Sequence, residues 1–294
     1  MKNTFLFTTS AIAAFALAST AQAGPSFSGS ITASYLASDM WSTDDDDQWN
    51  SFSGLTVEGY VTAEFANGLQ VTTDVSWLYR DLSAHGNPRT EYRNQGPREY
   101  EVLGVHVGKN FDILGGIYAG AFGAIGFQQT DLNFNAMREG FVGGIEAKKS
   151  FGKLTVFGQV AYMDWRYDTW ANRPTPDNGF SGMMSRVGAS YQISDRLSAM
   201  FDFEYGYSPN YFEDYTDWGE AMVGQLQLAY AINDRFDIIA GYEYGNFLAN
   251  TEDVGYESNV TIGVRMNFGG ASGFNELSTP VQGFAAAGWA KTTD

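Results

Sequence analysis

The sequence predicts an all-β fold: a single transmembrane antiparallel up-and-down β-barrel of about twelve strands, with long connections at one end and short turns at the other. Three observations predict it. Short turn signals recur about every forty residues: Asn67-Gly68, Asn110-Phe111-Asp112, Phe151-Gly152-Lys153, Ser194-Asp195-Arg196 and Asn233-Asp234-Arg235. Apolar and polar residues alternate on both sides of each signal, and a repeat that holds two strands reads as a series of hairpins. The stretches that join one hairpin to the next are acidic, rich in aromatics and about ten to seventeen residues long.

The elements follow in order. Lys2, the apolar stretch from Phe5 to Ala18 and the small-x-small site Ala21-Gln22-Ala23 fit a secretory signal peptide over residues 1–23. That apolar stretch is too short and too interrupted to anchor a chain, and no later run approaches the ~20 residues a membrane helix needs. The barrel is expected over residues 24–268. Its first strand, 27–36, sets Phe27, Gly29, Ile31, Ala33 and Tyr35 against Ser28, Ser30, Thr32 and Ser34, a period of two. Strands at 55–65 and about 69–77 flank the first turn, and 98–109 and 116–128 the second. The stretch 116–128 is apolar on both faces, so its inward side is ambiguous. Then come 141–148 and 154–165, about 183–193 and 197–207, 222–232 and 236–247, and finally 256–268. An even count puts both ends of the barrel on the short-turn side. Residues 269–294 form an extension, either periplasmic or directed into the lumen.

Alternation alone does not say which solvent meets the apolar faces. Strand length does, because soluble strands usually span five or six residues. Aromatics also fall in two bands. Trp41, Trp49, Trp77, Trp165, Trp170 and Trp218 lie at or beyond the long-connection ends, and Phe27, Phe65, Phe111, Phe151, Tyr191, Phe236 and Phe268 near the short turns. Rings at two heights match the two interfaces of a bilayer. The polar faces carry charges of both signs, as an aqueous lumen allows.

The signal peptide, the tight turns, the banded aromatics and a last strand reading Val-Thr-Ile-Gly-Val-Arg-Met-Asn-Phe268 resemble a Gram-negative outer-membrane β-barrel, porin-like in the broad sense. The resemblance spans about residues 27–268 and points to no subfamily. It implies an outer-membrane location, lipid around the barrel and handling by the barrel-assembly machinery. In such barrels a terminal aromatic on the last strand helps that machinery recognise the chain; Phe268 is the matching residue, although the chain continues past it.

The formal charge of the 294-residue chain is −17, which excludes a nucleic-acid partner. Without cysteine there is no disulfide, thiolate nucleophile or thiolate metal site. The run Asp44 to Asp47 lacks the alternate spacing and glycine of an EF-hand. With Glu213, Asp214, Asp217, Glu220, Glu252, Asp253 and Glu257 it reads as an electronegative rim, suited to cation-bridged lipopolysaccharide. Arg80, Arg89, Arg93 and Arg98 make one basic loop. Nothing suggests a cofactor or a metal centre. Of the two histidines, His85 falls in a loop and His106 on the fourth strand, and no serine-hydrolase, zincin or phosphate-loop motif is present. No catalytic site is expected.

The alternation assigns Glu58, Glu64, Asp74, Glu146, Asp202, Glu204, Asp237 and Glu243 to the lumen, with Arg80, His106, Lys148, Arg186 and Arg265. Rings of charge in a pore select by their local field, so an excess of carboxylates favours cations. The expected function is a passive, cation-leaning channel for small hydrophilic solutes. The alternative is a closed structural or adhesive barrel that presents acidic loops. The same charges, paired, would close the lumen. Neither the solute nor the oligomeric state is legible.

Overall fold

The structure, a computed structural model, describes residues 24–42, 48–81, 98–111, 115–129, 136–169, 179–210, 219–249, 252–270 and 273–279. The signal peptide, the Asp44–Asp47 run, His85 and most of the basic loop lie outside the described residues. Twelve strands form one closed sheet: β1 (Ser26–Ser42), β2 (Gln48–Glu64), β3 (Leu69–Asp81), β4 (Arg98–Phe111), β5 (Ile117–Gln129), β6 (Ala136–Phe151), β7 (Leu154–Thr169), β8 (Gly179–Gln192), β9 (Leu197–Asn210), β10 (Gly219–Ala231), β11 (Phe236–Ala249) and β12 (Glu252–Phe268). Every strand pairs antiparallel with its sequence neighbours, and β1 pairs with β12, from Gly29 opposite Phe268 to Ser42 opposite Gly255. Closure leaves no unpaired edge, which hydrocarbon requires of a spanning sheet.

The turns form where Asn, Ser and Gly supply the local chemistry. Asn67 Oδ1 accepts from the Leu69 amide at 3.0 Å, and Gly68 takes a φ of 77° that few side chains tolerate. Asn233 Oδ1 accepts from the Arg235 and Phe236 amides, and Ser194 Oγ from those of Arg196 and Leu197. The second turn is displaced from its sequence signal. Asn110 and Phe111 still pair within the sheet, with Tyr118 and Ile117, so the chain reverses after Phe111.

At the opposite end the strands run further than the alternation predicts. β1 continues to Ser42, β2 begins at Gln48, and β11 and β12 pair as far as Ala249 and Glu252. Ladder pairing satisfies the backbone there even where the side-chain period fades. The outward face carries Tyr35, Leu55, Val105, Ile145, Val187, Phe201, Ile238 and Ile262, all exposed. The lower aromatic band is present, with Phe65, Phe111, Phe151, Tyr191 and Phe236 pointing outward near the turns.

The face of β5 is now decided. Tyr118, Phe122 and Ala124 point inward and are buried, while Ala121, Gly123 and Ile125 face out. Two inward partners hold it so: the Phe122 ring stacks on His106 at 5.2 Å, and Tyr118 donates to Glu146.

Candidate functional site in the lumen

After Phe268 the chain turns back into the barrel. Gly269, Gly270 and Gly273 all have positive φ, at 65°, 77° and 94°. At Gly269 a Cβ would collide with the Phe27 carbonyl, so glycine allows the chain to pass the start of β1. Residues 273–279 then lie inside the lumen as a strap. Phe274 and Leu277 are buried, each 6% exposed, in a cluster with Tyr118, Phe157, Met200, Ala229 and Ile239. Taking each ring or branched chain out of water contributes about 1.5–3 kcal/mol. The Arg265 guanidinium lies over the Phe274 ring at 5.4 Å.

Polar contacts tie the strap to β3, β4, β6, β7 and β8. Asp74 Oδ2 accepts from the Thr279 amide at 2.7 Å, and Asp74 Oδ1 from the Thr279 hydroxyl at 3.0 Å. Arg186 Nη1 donates to the carbonyls of Ser278 at 3.1 Å and Glu276 at 3.4 Å. Gln159 Nε2 donates to the carbonyls of Leu277 at 3.4 Å and Ser278 at 3.3 Å. The Glu276 carboxylate accepts from Ser190 Oγ at 2.9 Å and pairs with Lys148 at 3.7 Å.

Behind the strap is a buried charge network. His106 Nδ1 lies 2.8 Å from Glu146 Oε2 and Nε2 lies 3.0 Å from Asp74 Oδ1. Both ring nitrogens thus face carboxylates. Glu146 also accepts from Tyr118 and from Gln159. Arg186 holds Asp202 through Nε and Nη2, at 3.2 and 3.1 Å, with Glu204 at 3.5 Å. Arg265 and Asn267 both donate to Asp237, Arg265 through Nε at 2.8 Å.

Beside the strap a cavity of about 160 Å³ remains. Its wall is hydroxyl-bearing on β1 and β2, with Ser30, Thr32, Ser34 and Thr56. Its charged lining comprises Glu58, Asp74, Asp202, Glu204 and Glu243 with Arg186 and Arg265. Carboxylates exceed cations there however they pair, so the cavity field is negative.

Most of the residues that the alternation assigned to the lumen therefore meet in two places. Asp74, His106, Glu146, Lys148, Arg186 and Asp202 hold or back the strap, and Glu58, Glu204, Glu243 and Arg265 border the cavity. Glu64, the last residue of β2, is exposed at the turn-side rim, and the Arg80 side chain lies outside the described residues. Alternation missed the uncharged members Gln159, Tyr118 and Ser190, and the strap residues Phe274, Leu277 and Thr279. A Phe-x-x-Leu pair in an otherwise mixed tail was the only signal for the last group.

Neither a family model nor a curated relative matches the sequence. Solved structures do match in shape. The translocator domain of autotransporter NalP from Neisseria meningitidis superposes with a TM-score of 0.50 at 13% identity, over 90% of this chain and 95% of that one. An outer membrane channel from Pseudomonas putida F1 superposes with a TM-score of 0.53 at 10% identity, over 84% and 97%. The fold is that of a bacterial outer-membrane β-barrel. As in the general architecture of such barrels, the outward face is apolar and the lumen polar. This barrel adds a lumen strap made from its own C-terminal extension.

Proposed function

We propose that this chain is exported to the outer membrane of a Gram-negative bacterium and acts there as a narrow passive channel for small hydrophilic solutes, with a preference for cations. The observation that carries this reading is the cavity beside the strap, bordered by β1 to β3 and β9 to β12, whose lining carries more carboxylates than cations. The strap narrows the bore, and the carboxylate excess sets the sign of the field that a permeating ion meets. One barrel of similar fold is itself an outer membrane channel, which agrees with this reading. Planar-bilayer recording of the refolded protein tests it. Stepwise conductance with a cation-selective reversal potential is expected; silence from cleanly inserted barrels defeats it.

The second reading is a closed structural or adhesive barrel. It is favoured by one observation, the dense ion and hydrogen-bond network that fixes the strap across the lumen. The same recording separates the two.

A further inference from the structure

The strap does not merely fill space; the wall reads it as a peptide. Arg186 and Gln159 donate to three successive backbone carbonyls, those of Glu276, Leu277 and Ser278, and Asp74 accepts from the next amide, that of Thr279. These contacts address main-chain groups that every peptide carries. Side-chain recognition is added at three points. Phe274 and Leu277 enter one apolar cluster, and the Glu276 carboxylate meets Lys148 and Ser190. The wall side of this seat is held by groups that do not belong to the strap. Arg186 is fixed by Asp202, Asp74 by His106, and Gln159 by Glu146. Such a seat is ordered by second partners before any peptide arrives.

We propose that this wall is a peptide-binding site of the lumen, and that the strap is its built-in occupant. The ligand class is a short oligopeptide with two apolar side chains and an acidic residue between them, in the pattern Phe-x-Glu-Leu that residues 274–277 display. The strap leaves β12 through Gly269, Gly270 and Gly273, whose backbone freedom lets it withdraw and an incoming peptide take its place. The inference deepens the channel reading by naming a solute class, and it rests on that reading only for passage, not for binding.

The test uses the full-length chain refolded in detergent and a fluorescent, end-blocked peptide with the sequence of residues 273–279. In a full-length Phe274→Asp/Leu277→Asp variant, confirmed as folded by its mobility on an unboiled gel, the strap loses its apolar anchors. That variant is expected to bind the peptide saturably by anisotropy. The parent binds it about ten-fold or more weakly, because a tethered strap competes at millimolar effective concentration. Adding Lys148→Glu to the variant weakens the peptide, and a peptide with lysine in place of Glu276 regains affinity for it. Absence of saturable binding to the folded variant overturns the proposal, as does equal binding of a scrambled peptide. If the double variant does not fold, the single Leu277→Asp chain replaces it under the same criteria, since it removes one apolar anchor of the strap and leaves the wall unchanged. Binding without conductance would separate failure of the channel reading from failure of this one.

Discussion

The two sides of the lumen are built differently from the same kind of strand. From β5 to β8 the inward face carries Tyr118, Phe122, Val142, Phe157, Ala161, Met163 and Met184, all buried, with polar groups confined to the strap's seat. On β1 and β2 the inward face carries Ser30, Thr32, Ser34, Thr56 and Glu58 and borders open space. Tyr118 and Phe157 from this side, with Met200, Ala229 and Ile239 of β9 to β11, bury Phe274 and Leu277 of the folded-back segment. Hydroxyls on the other side border a cavity of about 160 Å³. A barrel wall thus becomes asymmetric through side-chain volume and polarity alone, with its backbone ladder unchanged.

The hardest blow to this asymmetry is Arg186→Gln. Both Arg186 and Asp202 are 3% exposed at their side chains, so the substitution leaves a carboxylate buried without its cation and releases two strap carbonyls. Loss of about 3–5 kcal/mol is expected from breaking a buried pair, read as a lower urea midpoint of the refolded barrel. Next comes Phe274→Ala, which empties the apolar cluster at a cost of about 3–5 kcal/mol if the ring's space stays unfilled. Because the strap alone depends on this ring, conductance should rise several-fold while the barrel's heat-shifted gel mobility persists. Unchanged conductance would mean that the strap does not restrict the bore.

Gly104→Ala probes the seat more gently. A Cβ at that position strikes the Asp74 carboxylate and the Thr279 hydroxyl, so the strap end must shift. Overpacking of this sort costs about 1–3 kcal/mol, and protease cleavage within the C-terminal extension should become faster than in the parent. The smallest expected effect belongs to the open side. Glu58→Gln keeps the side chain's size and removes one charge from the cavity lining, so its stability loss should be smaller than that of Arg186→Gln. It should still lower the cation preference measured from reversal potentials. A stability loss as large as that of Arg186→Gln would show that the two sides are not energetically distinct.

Much of this was readable in the chain. Turn signals and period-two alternation together found every strand, because side chains in a strand point to alternate faces whatever lies opposite. It also placed Asp74, Glu146, Arg186 and Asp202 inward. It failed on β5, where both faces are apolar, and there the decision fell to Phe122 stacking on His106. It stopped most strands early at the long-connection end, where the pairing continues without a hydrophobic period. Glutamine and serine were passed over because a search for channel charge has no reason to select them.

The sequence by itself determined the wall: its strand count, its closure and its turn end. Those properties follow from local spacing and from composition. Only the tertiary structure decided what occupies the bore. Thr279 meets Asp74 across 205 residues and His106 across 173, and no period or motif links such positions. A contact between distant segments depends on where the closed sheet brings its inward faces, and that geometry exists only once β1 has paired with β12.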